Sequence, residues 1–574
     1  LPKKNRVETT EEPQKPDGTA AENASPAGGL AGRRDLLIAL GLAAIALILR
    51  LILLNAGLWY TDAVIAAQAA ESTYQTLRIH YMHAVGYPGN VITIALLYAP
   101  FKLIAGASNA ESATLFSSYF SASLSIGLLY LLVKRISGST FAALSASLVL
   151  NALPVYLSTS TFGMSHQLAV FFLLLSFYLA ALASESKDRR LLALASMSLG
   201  WAAAIRLESL QMLPLMALFY WRKELPLSVS TKGGYLEMKW RQTKDALLGD
   251  LIYLIAPMTL LLLIPYVPML RENGMNTIIG AYEYNKWLGF WVPGLTEMVI
   301  GWVTISMTKL GWILAALGLV ALFLRKDKHL FAIMLLWCFY FLVLANTATV
   351  EDRHTIPALA GLTVSIGFGL ELLYARVHKL VAVGVLLILL YMMLSTAYPI
   401  LKYRTTFCGP KAFAYTLRDS IEKNSVVIAI DETPHLQYYG GIDTIGYPID
   451  GDMAKINKSM RELSGYLQNG TNLYMVSSAL VYDTPGGLAY DPQTGLYNPS
   501  EKKVYTNLAF DTSTKTITDK STGVTFGLYG IWQAELFSKF MVIPVKAVPN
   551  EDWHKKSVMP GNYTEVIFRI SNRN

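Results

Sequence analysis

The sequence predicts a polytopic α-helical membrane protein with a C-terminal α/β domain, and three observations predict it. The 574 residues are 53% hydrophobic and only 15% charged, with a mean hydropathy of +0.38; a soluble globular chain sits nearer a quarter charged. Several apolar runs approach the roughly 20 residues that carry a helix across ~30 Å of hydrocarbon. The Lys and Arg residues behind the formal charge of +8 sit largely in loops between those runs, where they report orientation rather than nucleic-acid binding. Cys338 and Cys408 supply neither a disulfide framework nor a metal-binding spacing.

Residues 1–32, rich in Pro, Glu, Lys, Ala and Gly without apolar periodicity, read as a disordered cytoplasmic tail. No cleavable signal is evident, because Arg33-Arg34 leads into a span too long for a signal core. That first span, near 35–58, exits outward. The outer loop 59–111 then contains Val91 to Ala105, which is apolar but short and holds Pro100 and Lys102. Laid along the surface as an interfacial helix, it keeps Lys134-Arg135, at the end of a span near 112–133, cytoplasmic. Spans near 140–158, 165–184, 190–206, 208–221, 246–269, 298–324, 329–346, 355–374 and 379–398 then put nearly every basic cluster on one side. This gives about 11 spans in a transmembrane domain of residues 33–398. The hairpin 190–221 is retained because fusing it into one span would put the Lys-rich 232–244 loop outside.

The odd span count leaves residues 399–574 extracytoplasmic. Lys411 to Glu422 reads as an amphipathic helix and Val426 to Ile430 as a buried strand. Leu473–Val476 and Val524–Tyr529 are β-type runs between Gly, Asn and Pro turns. The sequons at Asn457, Asn469 and Asn562 fit that side.

Ionisable groups at a membrane face are functional candidates by default. Asp62 follows the first span, and two readings of it stand: a helix N-cap and a general base. Glu71 lies nine positions on, about 13 Å along a helix, too far to share a proton with it. His80 and His83 precede the turn Gly86-Tyr87-Pro88-Gly89, in which Pro88 suits the first turn of a helix and glycine permits close backbone approach. No third metal ligand is evident near the two histidines, and no metal is expected. Arg206 and Glu208 interrupt the apolar hairpin, and Glu351-Asp352-Arg353-His354 opens a span. Arginines at helix ends are ordinary interface anchors, but the planar guanidinium also suits phosphate. His166, at the start of another span, reads as a core histidine or as a companion of those arginines. Tyr282, Tyr284, Trp287, Phe290 and Trp291, in the outer loop 271–297, read as membrane anchors or as groove lining.

With these residues the chain resembles the C-type (GT-C), lipid-phosphate-dependent glycosyltransferases, and most of all the protein O-mannosyltransferase and aminoarabinose transferase-like group. The resemblance rests on an acid after the first span (Asp62), a His/Gly/Pro segment opening a surface helix (His83, Gly86 to Gly89), a span ending in Lys134-Arg135, and Arg353-His354-Thr355-Ile356-Pro357. It covers roughly residues 35–400. Two departures stand out: Asp62-Ala63 replaces the usual Asp-Glu pair, and His354 stands where an aromatic is usual. The role of a second acid therefore falls to Glu71 or to Asp431-Glu432.

The resemblance implies sugar transfer, with inversion, from a polyprenyl-phosphate monosaccharide (dolichyl or undecaprenyl) to a hydroxyl or amine of a glycan, lipid or protein. It implies Asp62 as base and Arg206 and Arg353 on the donor phosphate. Glu71, His83, Tyr87, Glu208, Glu351, Asp352 and His354 line the substrate site, and no cofactor is required. It places the chain in a prokaryotic plasma membrane, with the site extracytoplasmic. The alternatives are a transporter or flippase of lipid-linked sugars, which should show related halves or helices broken at mid-bilayer, an oligosaccharyltransferase-like enzyme, which needs metal-binding acids, and a non-catalytic assembly protein.

Overall fold

The computed structural model describes residues 32–573 except 83–84, 107–108, 223–234, 285, 326, 348–350, 431, 449–452, 477–478, 480–487, 492–495, 500–507, 512–515, 520–524, 528–530 and 552–561. The expected tail at 1–31 and the Lys-rich loop around 232 lie outside the described residues.

The chain begins with α1 (Arg33–Ile52), α2 (Thr61–Thr76), α3 (Pro88–Ala105) and α4 (Glu111–Ser137). α5 (Thr140–Ala152), α6 (Pro154–Thr159), α7 (Ser165–Ser186) and α8 (Arg189–Ile205) follow. A 3-10 turn (Leu207–Met212) leads into α9 (Leu213–Trp221), then come α10 (Tyr235–Leu263), α11 (Val267–Asn273) and α12 (Met275–Tyr284). The bundle closes with α13 (Leu295–Leu324), α14 (Lys328–Ala345), a second 3-10 turn (Asp352–Thr355), α15 (Ile356–Arg376) and α16 (Lys379–Thr406). Among the described residues nine segments are long and apolar enough to cross a bilayer: Arg33–Ile52, Pro88–Ala105, Glu111–Ser137, Ser165–Ser186, Leu248–Glu272, Leu295–Leu324, Lys328–Ala345, Asp352–Arg376 and Lys379–Arg418.

That set differs from the eleven spans expected, for local reasons. The expected span 140–158 is broken at Leu153-Pro154, because proline cannot donate to the preceding turn. The second arm of the 190–221 hairpin opens as a 3-10 turn and continues as a nine-residue helix with Pro214 in its first turn. α3 joins the set on length and apolarity, but both of its ends attach to one end of the bundle. Its Gly89 abuts the backbone of Ala204 and Ile205, and its Phe101 packs on Phe116 in the second turn of α4 at 5.5 Å. The helix therefore lies across the bundle.

That end, here called the docking end, is fixed by contacts between chain turns. Asn55 N donates to Thr161 O (3.2 Å) and Ala56 N to Arg404 O (2.9 Å). The opposite end is marked by Tyr130 OH on Asp35 (2.9 Å), Arg222 on Glu185 (3.0 Å), Arg189 on Asp250 (2.8 Å) and Arg325 on Glu371 (2.6 Å). Because Arg206 lies at the docking end and Arg222 at the other, α8 and α9 run as a hairpin, as expected. α4, α7 and α15 are the most buried long helices. α13 crosses α15 at Gly318, where a Cβ would lie 1.8 Å from the Ser365 carbonyl oxygen; small residues allow such backbone approach between membrane helices.

The chain leaves the docking end through α17 (Gly409–Arg418) into a sheet domain. β1 (Val426–Ile428), α18 (Thr433–His435), β2 (Asp443–Ile445), α19 (Met453–Gln468) and β3 (Leu473–Val476) come first. The short pairs β4 (Leu488–Asp491) with β5 (Leu496–Pro499), and β6 (Leu508–Asp511) with β7 (Thr516–Asp519) and β8 (Thr525–Gly527), form two separate small sheets. α20 (Ile531–Lys539), β9 (Phe540–Glu551) and β10 (Asn562–Asn572) complete the chain. The main sheet has the order β2-β1-β3-β10-β9, with β1 parallel to β2 and β3, and β10 antiparallel to both neighbours. The domain is tied to the bundle by Tyr439 OH, which accepts from Leu58 N (2.9 Å), and by Lys411 on Glu111 (3.0 Å). His435 is buried in the same seam, beside the backbone of Leu58 and Trp59.

Two predictions follow from this packing. Gly318→Val should force α13 off α15 at a cost of about 1–3 kcal/mol, read as a lower Tm in detergent; an unchanged Tm would refute the crossing. Burial pushes the His435 imidazole down from 6.5 to about 3, against the opposing pull of the Leu58 and Trp59 backbone. Its contribution to folding is therefore intact above pH 6.5 and declines as pH falls from there toward about 3. The loss approaches about 1.4 kcal/mol per pH unit. Wild type should lose more Tm than His435→Phe between pH 7.5 and 5.5, and parallel losses would refute the buried neutral imidazole.

Candidate active site

Five segments meet at the docking end: the start of α2, the turn into α3, the start of α7, the junction after α8, and the 3-10 turn before α15. Asp62 is the second residue of α2, and the residue in the cap position is Tyr60, whose side chain makes no cap bond. The N-cap alternative for Asp62 is thereby replaced by a place in the first turn, where the helix dipole favours a carboxylate. Asp62 Oδ2 lies 3.3 Å from Arg353 Nη2. The other nitrogen, Nη1, pairs with Glu351. Tyr60 completes this group: its hydroxyl donates to Glu351 Oε1 and Oε2 (2.9 and 3.0 Å), and its ring faces the Arg353 guanidinium at 3.9 Å, a cation–π contact strengthened by exclusion of water.

A second group adjoins it through the peptide link between Arg353 and His354. Arg206 Nε pairs with Glu208, Nη1 donates to Ser165 Oγ (3.2 Å), and Nη2 donates to His354 Nε2 (3.1 Å). A guanidinium only donates, so His354 presents a lone pair at Nε2 and carries its proton on Nδ1. The Arg206 guanidinium lies 5.2 Å from the Tyr87 ring, and the His166 ring stacks on His354 at 5.4 Å. Arg206 and Arg353 are 3% and 5% exposed. The local backbone explains this convergence. Tyr87 adopts φ +43°, a left-handed turn that starts α3. A Cβ on Gly89 would lie 2.8 Å from Ile205 N, so glycine lets α3 press on the residue that precedes Arg206.

The structure thus brings together Asp62, Tyr87, Arg206, Glu208, Glu351, Arg353 and His354, with Asp352 buried beside Arg353. It does not bring Glu71 to them: that carboxylate accepts from Tyr98 OH (3.4 Å) and Gln75 (3.4 Å) farther along α2. His83 and Asp431 lie outside the described residues. Glu432 is fully buried next to α18, which packs on α2. The carboxylate that shares Arg353 with Asp62 is Glu351. Sequence reasoning missed Tyr60 and Ser165; the signal available for Tyr60 was only its place two residues before Asp62. It also missed the support beneath Tyr60, where Arg404 lies 3.6 Å from the Trp59 ring.

Residues 88–238 match the family model described as dolichyl-phosphate-mannose-protein mannosyltransferase. No curated protein matches the chain. Among solved structures it is similar to ArnT from Cupriavidus metallidurans bound to undecaprenyl phosphate, with a TM-score of 0.56 at 12% identity, covering 78% of this chain and 93% of that one. It is similar also to the same protein in the apo state, with a TM-score of 0.54 at 13% identity, covering 76% and 92%. The class defined by the fold is therefore a multi-span membrane protein with the ArnT-like architecture and a small C-terminal sheet domain. Within that class, the chain resembles the GT-C glycosyltransferases of the protein O-mannosyltransferase and ArnT type, as the sequence suggested.

Proposed function

We propose that this protein transfers a hexosyl or pentosyl unit from a polyprenyl-phosphate donor to a hydroxyl or amine of a glycan, lipid or protein acceptor. The observation that carries this reading is the meeting of Asp62 and Arg353, 291 positions apart in the chain, at 3.3 Å within an ArnT-like fold. A candidate proton acceptor and a candidate phosphate ligand stand side by side.

The donor phosphate would compete with Asp62 and Glu351 for Arg353, and with Glu208 for Arg206. Drawing Arg353 onto the phosphate opens Asp62 Oδ2 to the acceptor. In the reaction the acceptor proton passes to Asp62 and the acceptor oxygen or nitrogen bonds to the anomeric carbon. The bond from that carbon to the phosphate oxygen breaks, and polyprenyl phosphate departs with the charge that the guanidiniums stabilise. Attack opposite the leaving phosphate gives inversion. The reading places the site on the extracytoplasmic side of a prokaryotic plasma membrane; the side, though not the organism, is supported by the clustering of Arg135, Arg189, Arg222 and Arg325 in ion pairs at the opposite end of the bundle.

The direct test is incubation of the purified protein with a panel of polyprenyl-phosphate sugars, read as release of the bare lipid phosphate; no release from any of them, with acceptors supplied, would count against the reading. Asp62→Asn should lower transfer about 10²–10⁴-fold, the usual contribution of a general base, with expression intact; full activity would remove the base assignment. Arg353→Ala should weaken donor binding, measured by titration with a non-transferable polyprenyl phosphate, and an unchanged affinity would remove the clamp.

A further inference from the structure

We infer that His166, Glu208 and His354 form a divalent-metal site of the zinc type. The inference does not depend on the proposed reaction. One ligand-type atom from each lies within 4.8 Å of the other two. The residues come from three separate elements: the first turn of α7, the 3-10 turn after α8, and the 3-10 turn before α15. Two imidazoles and one carboxylate are a donor set that zinc takes in catalytic sites, with the fourth position left open.

Two further observations point to a ligand. His166 is 2% exposed, and neither of its ring nitrogens has a hydrogen-bond partner among the described residues. A buried polar group left without a partner is destabilising, and a metal on one of these nitrogens would satisfy it. The second is Glu208. Its Oε1 is held by Arg206, while its buried Oε2 has no partner among the described residues. A carboxylate oriented through one oxygen and open at the other is how ligands are presented when a neighbouring group fixes them.

The charge of the surroundings agrees. The carboxylates of Asp62, Glu208, Glu351 and Asp352 outnumber the guanidiniums of Arg206 and Arg353 by two, and a divalent cation offsets that difference. Loading has a structural consequence. Ligand atoms around a tetrahedral zinc stand about 3.4 Å apart, given metal–ligand bonds of about 2.1 Å, so the three side chains must draw inward. Arg206 now occupies the His354 Nε2 lone pair. The metal therefore takes that lone pair from Arg206 or binds through Nδ1, and Arg206 keeps Glu208 in either case.

The test measures metal, not transfer. The full chain in detergent is stripped with chelator, reloaded separately with Zn²⁺ and Co²⁺, and passed through gel filtration. Elemental analysis should then find about one metal per chain, and the Co²⁺ form should show the visible absorption of a tetrahedral site. His166→Ala and Glu208→Gln should each lose the retained metal while eluting as the wild type does. His166→Cys, which restores a zinc ligand, should recover it. Wild type that holds no metal above the level of His166→Ala overturns the assignment, as does metal retained equally in both variants, which would place it elsewhere.

Discussion

The guanidinium of Arg353 is the constraint on which the docking end is built. It is 5% exposed and is shared by Asp62 and Glu351. A guanidinium in such a place is tolerable only when paired, because leaving it alone costs several kcal/mol. Its partners come from α2 and from the turn before α15, so the pairing fixes the segment after α1 against a helix near the end of the bundle. Tyr60 fills the remaining face, with its ring on the cation and its hydroxyl on Glu351. Shifting any of these groups exposes the others to an uncompensated charge.

The segment that carries Tyr60 and Asp62 is fastened from below as well. Trp59 is held by Arg404 at 3.6 Å and by Phe162 at 5.3 Å. The next residue back, Leu58, donates its N–H to Tyr439 of the sheet domain. The C-terminal domain is therefore more than an appendage outside the bundle. Its α18 packs on α2, the turn after it reaches Leu58, and its entry helix reaches Glu111 at the start of α4 through Lys411. A displacement of the domain would be felt first at residues 58–62.

Much of this was readable in the sequence, and what escaped has physical causes. The apolar runs, the one-sided basic loops and the surface placement of α3 all follow from transfer energetics, which act on composition. Asp62, Arg206 and Arg353 stood out because charge beside an apolar run is costly and rare. The span boundaries were less legible, since a break such as Leu153-Pro154 or a 3-10 turn at Leu207 scarcely changes hydropathy. Which carboxylate stands with Asp62 at Arg353 was out of reach. Glu71 was nearer to Asp62 in sequence, yet an α-helix carries it away along its axis, while Glu351 returns to Asp62 only through tertiary packing. His166 reads in sequence as a core histidine or as a companion of the arginines, because nothing in its sequence neighbours reveals that both ring nitrogens lack partners among the described residues.

The irregular helices and the charged cluster have one origin. Directly after α8 the chain runs as 3-10 helix from Leu207 to Met212, and Arg206 and Glu208 face inward there as a pair. The turn from Asp352 to Thr355 does the same for Arg353 and His354. In an apolar bundle, non-helical backbone is tolerated only where protein surrounds it or a polar cavity adjoins it. Here the side chains of the two turns supply that surround to each other, through Arg206 on His354. The two short turns therefore lean on one another: Arg206 donates to His354 across the gap, while each guanidinium is paired close by, Arg206 with Glu208 and Arg353 with Glu351 and Asp62.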